Sequence, residues 1–270
     1  MSNFQILTND RLHTLAPSIF ATEPYHAMSE KYAFVPTIEV IDNLRGKGWM
    51  PVQAFESRTR TEDKKGYVKH LVRLRQTDNS LISGDIVPEL VLINDHAGAT
   101  AYKMLAGMFR FICSNGLIVG DTVDSISIRH TGDIIKEVGY AAKHMAKDTP
   151  KLVQFVDKMR TIELQRNEQG IFANAALELK YGRDEETGNS LAPVTAEQIL
   201  MPHRYADRGC DLWTTFNVVQ ENLIRGGQRY RSFNHRRMKT RPVKSVDGDV
   251  RLNRALWMLA SEMQRLKYKK

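Results

Sequence analysis

Apolar and polar positions recur along this chain with two different periods, and the change of period divides it. Ile38, Ile41 and Leu44 fall on one side of a helical wheel, with Glu39, Asp42, Asn43 and Arg45 on the other. A short amphipathic helix is therefore predicted around Pro36, ended by Gly46 and Gly48. Val52, Ala54 and Phe55 then predict a strand within Met50–Arg60. A turn follows at Asp63, Lys64, Lys65 and Gly66. From Tyr67 to Gln76, His70, Val72 and Leu74 alternate with Lys69, Leu71, Arg73 and Arg75, which completes a β-hairpin. Asp78, Asn79 and Ser80 mark another turn. Pro88 to Asn94 is apolar nearly throughout, as a central strand is. Thr100 to about Cys113 has helical spacing, with Met104, Leu105, Met108, Phe109 and Ile112 in one stripe and Ser114-Asn115-Gly116 as the stop.

Beyond Thr131 the period is mostly helical. Asp133 to about Asn167 can hold a long helix, with Pro150 as a possible break, and Gly170 to Leu179 a further piece. Tyr181 to Ser190 reads as a solvated loop. Thr195 and Gln198 have the spacing of a capping box, and Asp211 caps a helix with Leu212, Phe216, Val219 and Leu223 on one face, stopped by Gly226-Gly227. Residues 228–248 are basic and turn-rich, and Val250 to Lys267 forms a closing amphipathic helix. The fold predicted is α+β: an N-terminal helix, a three-stranded antiparallel sheet and a packing helix, followed by a mostly helical C-terminal half. The divisions are an irregular N-terminal segment 1–35, a core 36–125, a helical region 126–224, and a basic segment with the last helix, 225–270.

Charge sharpens this picture. The 270 residues carry a net charge of +8. From Arg225 to Lys244 lie six arginines (225, 229, 231, 236, 237, 241), Lys239 and Lys244, with no acid among them. That one segment equals the whole excess, and a polyanion is its natural partner. Tyr230 and Phe233 interleave with the cations, as in proteins that stack bases on aromatics while cations follow the backbone. The plainer alternatives are a flexible basic loop or a patch for an acidic protein. The predicted hairpin forms a second cationic stretch: Lys69, Arg73 and Arg75 share one face of a strand, and Arg58, Arg60, Lys64 and Lys65 surround the turn. Its plainer reading is a solvated face whose Lys and Arg guard a sheet edge.

Composition narrows the classes. Two cysteines far apart, Cys113 and Cys210, provide no disulfide framework and fit a reducing compartment. The N-terminus lacks the pattern of a signal peptide, and no apolar run is long enough to span a bilayer, so a cytoplasmic protein without membrane contact is expected. The phosphate-loop, dinucleotide, zinc-protease and serine-hydrolase motifs are missing, and the eight histidines show no metal-ligand spacing. No cofactor, no metal and no catalysis are expected. Asn94-Asp95-His96 could be imagined as a nuclease or deaminase fragment but suits a turn better. Cys113 reads as a small core residue.

Leu92 to Tyr102 (Leu-Ile-Asn-Asp-His-Ala-Gly-Ala-Thr-Ala-Tyr), Gly107 to Gly120, and the helix Trp213 to Gly227 resemble a large phage- and plasmid-borne family of uncharacterised proteins, over roughly residues 30–240. Element order and basic positions are remotely similar to the single-strand annealing recombinases, the Redβ, RecT and Erf kinds and their ring-forming eukaryotic relatives. That second resemblance implies ATP-independent annealing in DNA recombination, by a homo-oligomeric ring or filament that holds single-stranded DNA in a basic groove. Lys69, Arg73, Arg75 and Arg110 would grip the backbone, and 225–244 would extend or gate the groove. Arg110 could equally complement a helix dipole. Two other functions fit the same residues. One is a mobile-element protein that antagonises a host defence or replication complex by binding a host protein. The other is a nucleic-acid-processing enzyme using Asp95, His96, or Glu221 with Asn222.

Overall fold

The computed structural model describes residues 5–29, 32–76, 86–98, 100–110, 115–118, 126–128 and 133–268. The chain divides within one long helix into two units: Met1–Phe111 with Gly116–Pro150, and Ile112–Asn115 with Lys151–Lys270.

The α+β class holds. The first unit is built on the sheet. Helix α1 (Asn9–Leu15) is capped by Thr8, whose hydroxyl accepts from the Arg11 amide, and a 3-10 turn, Pro17–Phe20, follows it. Residues 9–20, within the segment expected to be irregular, are thus ordered, because Leu12, Ala16 and Ile19 are fully buried and tie them down. Helix α2 (Thr37–Arg45) buries Val40, Ile41 and Leu44. Strands β1 (Trp49–Glu56), β2 (His70–Gln76) and β3 (Ile86–Asn94) pair antiparallel in order, as the pattern predicts. All nine residues of β3 are buried, which fits its nearly unbroken apolar run. The turn expected at Asp78, Asn79 and Ser80 lies outside the described residues.

One element differs in kind. The stretch expected to be the packing helix is strand β4 (Tyr102–Arg110), antiparallel to β3. A short apolar run serves a doubly buried strand as well as a helix face. Here Met104, Leu105, Ala106 and Met108 all bury, and neither stripe nor alternation could discriminate. Ile112 and Cys113 lie outside the described residues. Strand β5 (Asn115–Ile118) follows β4 in the sheet order, and β6 (Ile126–Ile128) also pairs with β4, so among the described residues the sheet has six strands where three were expected.

Helix α3 (Ile134–Arg160) contains Pro150. The second unit continues with α4 (Arg166–Tyr181), α5 (Ala196–Ile199), α6 (Leu212–Arg225) and α7 (Val246–Tyr268). The capping box at Thr195 and Gln198 and the Asp211 cap are both present. Trp213, Phe216 and Trp257 pack as an aromatic cluster, with ring centroids 5.8 and 5.9 Å apart from Phe216. The basic stretch read as turns contains a small two-stranded sheet, β7 (Arg229–Arg231) and β8 (Arg237–Lys239). Among the described residues, no helix is long and apolar enough to cross a membrane.

Candidate nucleic-acid interface

The two cationic stretches meet opposite fates. In the first unit Arg73 and Arg75 are only 2% and 4% exposed. Arg75 stands directly across from Glu89 in the β2–β3 register, and its Nε donates to Glu89 Oε1 at 2.7 Å, while Arg73 Nη1 donates to Oε2 at 3.0 Å. Burial lowers the Arg75 pKa, and Glu89 opposes the shift. Arg110, at the end of β4 rather than of a helix, is 3% exposed. These three side chains, expected to hold phosphates, are withdrawn from solvent. The signal that could have warned of this is Glu89, a lone acid inside an apolar run. Lys69 is half-buried, and Arg58, Arg60, Lys64 and Lys65 are exposed around the turn. Acids dilute that group: Lys65 pairs with Glu62 at 2.6 Å, and Asp63 accepts from the Tyr25 hydroxyl at 2.6 Å beside Lys64.

In the second unit the cations remain outside. Arg225, Arg229, Arg231, Arg236, Arg237, Lys239, Arg241 and Lys244 are all exposed. Arg225 pairs with Glu221 at 2.7 Å, and among the described residues the other seven have no carboxylate partner. The β7–β8 register explains their arrangement. Arg229 faces Lys239, Tyr230 faces Met238, and Arg231 faces Arg237. Side chains alternate across a ribbon, so one face carries Arg229, Arg231, Arg237 and Lys239, and the other Tyr230 and Met238. Like charges set directly opposite each other destabilise a hairpin, and this one has two such pairs. Tyr230, expected among the cations, is half-buried on the opposite face, its hydroxyl 3.9 Å from Met238 Sδ. Burial, and after it the neighbouring Tyr230, raises the Tyr181 pKa.

A loop of three residues closes the ribbon. The Ser232 amide donates to the Arg236 carbonyl at 3.0 Å, and the His235 amide to the Ser232 carbonyl at 2.8 Å. His235 takes a left-handed φ of 58°, the turn-plus-bulge geometry such loops use. Phe233 sits at the apex, 99% exposed.

The base of the ribbon is fixed by polar groups that the sequence reading missed. Asn222 Nδ2 donates to the carbonyls of Ile199 and Met201 at 2.8 and 3.0 Å, and its Oδ1 accepts from Gln228 Nε2 at 2.8 Å and lies 2.7 Å from His203 Nε2. Gln228 Oε1 in turn accepts from Thr240 Oγ1 at 2.6 Å. Gln198 donates to the Arg229 carbonyl, and Lys180 to those of Leu223 and Arg241. Gly226 has φ 65° and ψ −150°, a conformation essentially confined to glycine, and a Cβ there would stand 2.6 Å from the Thr240 carbonyl oxygen. Glu221 takes a bidentate pair from Arg204, at 2.7 and 2.6 Å, besides Arg225. Asn222, conceivable as catalytic, is thus occupied in holding the base of the hairpin, and Glu221, conceivable likewise, in pairing with Arg204 and Arg225. The one signal for this was the Asn-Leu-Ile-Arg-Gly-Gly stretch, legible only as a helix stop.

Asp95 and His96 are also committed locally. Asp95 Oδ1 accepts from the Ala97 amide at 2.8 Å, forming the expected turn. His96 Nε2 lies 3.1 Å from Thr37 Oγ1, which lies 2.8 Å from His70 Nε2, and His70 Nδ1 lies 2.9 Å from Ser18 Oγ, itself a donor to Glu56. This buried chain joins the 3-10 turn, α2, β1, β2 and the end of β3, and burial lowers the His70 pKa to about 4.

No solved structure matches this chain. It is similar to two proteins of Escherichia coli (strain K12): UPF0380 protein YfjQ, 38% identical over 257 residues, and UPF0380 protein YafZ, 37% identical over 257 residues. Each alignment takes in 95% of this chain and 91% of the relative. The model of a domain of unknown function, DUF932, matches residues 24–257, and the chain belongs to the DUF932 family.

Proposed function

We propose that the β7–β8 hairpin binds the phosphate backbone of single-stranded nucleic acid, and that the protein promotes ATP-independent annealing of complementary strands. The observation that carries this reading is the ribbon face with two opposed cation pairs, exposed and without carboxylates among the described residues. Such a face is unfavourable alone and is relieved by a polyanion, whose condensed counterions are released on binding. The separation of faces supports annealing over simple coating of a strand. The aromatic Tyr230 lies behind the cations, so a strand held by its phosphates keeps its bases unstacked and free to pair. Annealing has no chemical step. It needs only a relief of phosphate repulsion that leaves base edges accessible.

Titration of a labelled oligonucleotide at several salt concentrations tests this, together with the rate at which two complementary strands pair. Binding should weaken steeply with salt and pairing should accelerate without nucleotide. Replacing Arg229, Arg231, Arg237 and Lys239 by glutamine should remove both. Equal behaviour of the fourfold variant and the natural chain would refute the reading.

A further inference from the structure

We propose that Phe233 is a stacking residue for the end of a duplex, so that the preferred ligand of the hairpin is a nucleic acid in which a single-stranded tail leaves a base-paired stem. This rests on the backbone-binding reading and adds the shape of the ligand to it.

Three observations carry the inference. Phe233 is 99% exposed at the apex of a short closed loop, so none of its apolar surface is used in folding. The loop is not slack: its closing pair Ser232–Arg236 and the left-handed His235 fix the apex beyond the last cation pair, Arg231 with Arg237. The base of the ribbon is bonded to α6 and to the ends of α4 and α5, so the ring projects from an anchored hairpin. The hairpin thus presents one aromatic face at its tip and cations only behind it.

A ring so placed cannot enter a continuous duplex without unstacking its bases, which costs a few kcal/mol per step. The last base pair of a stem offers an open face at no such cost. Stacking there would cover the phenyl ring and that base together, while the tail runs back along Arg231, Arg237, Arg229 and Lys239. A stem without a tail meets the ring but not the cation rows, and a tail without a stem meets the cations but offers the ring only a mobile base. The same junction is what strand annealing generates as pairing advances.

The test compares three probes, as DNA and as RNA: a stem-loop with an unpaired oligothymidine or oligouridine tail, the blunt stem-loop, and the tail alone. 2-Aminopurine at the terminal pair of the stem reports stacking. The tailed stem should bind more tightly than the tail by about 5- to 150-fold, the range for one base stacked on an aromatic. The 2-aminopurine signal should change on binding. In Phe233→Ala the advantage of the tailed stem should vanish, and in Phe233→Trp it should persist. The apex position leaves folding intact, which an unchanged thermal midpoint verifies. Equal affinity for tail and tailed stem, or an advantage that survives Phe233→Ala, overturns the inference while the backbone reading stands. Salt-insensitive binding of every probe overturns both.

Discussion

Two hairpins in this protein carry the same local motif, arginines at alternate positions of a strand, and use it in opposite ways. In β2, Arg73 and Arg75 turn inward onto Glu89, and in β7, Arg229 and Arg231 turn outward across from Lys239 and Arg237. The strand partner decides the difference. A central strand bearing one acid supplies a buried counter-charge, and desolvation makes that acid indispensable to the arginines. A two-stranded ribbon whose partner is equally basic has nothing to turn toward. Cations spaced along a strand therefore do not define a binding face until the register opposite them is known.

The contrast can be broken at several points, with effects of decreasing size. Glu89→Gln should destabilise the chain most, by about 3–5 kcal/mol, because two buried guanidiniums lose their carboxylate. Denaturant unfolding checks it, and a loss near zero would mean that Arg73 and Arg75 do not depend on Glu89. Acid comes next. The folded-state His70 pKa near 4 lies below the ordinary 6.5, so the unfolded chain binds the proton more readily between those values. The contribution is complete above pH 6.5 and fades as pH falls toward 4, by about 3 kcal/mol in all. Unfolding midpoints at pH 7 and pH 5 should differ accordingly, and His70→Gln should flatten the difference. Gly226→Ala comes third, costing about 1–3 kcal/mol by backbone strain and a clash with Thr240, and it should weaken oligonucleotide binding although no charge changes. The smallest effect is expected from replacing Arg58 and Arg60 by glutamine: within about 0.5 kcal/mol in stability, the usual range for surface positions. Nucleic-acid affinity should shift far less than when the β7–β8 cations are removed.

Much of this was legible in the chain. The β1–β2 hairpin, the central β3, the caps at Thr195 and Asp211 and the basic character of 225–244 followed from period, cap chemistry and charge. Three things were not. Strand β4 was hidden because Met104, Leu105 and Met108 satisfy a helical stripe while being buried on both faces of a sheet. The burial of Arg73 and Arg75 was hidden because Glu89 is distant in sequence and meets them only through the β2–β3 register. The division of 228–240 into a cationic face and a tyrosine face was hidden because strands of three residues show too little alternation to be seen. In each case the missing information was which residues stand opposite one another.

The claim on which the account turns is that the outward face of β7–β8 neutralises phosphates. The salt dependence of single-strand binding measures this most directly, because each phosphate neutralised contributes about −0.7 to the slope of log affinity against log salt. The fourfold variant of Arg229, Arg231, Arg237 and Lys239 should have a slope shallower by about 3 than the natural chain. An unchanged slope would contradict the account and return these cations to an ordinary solvated surface.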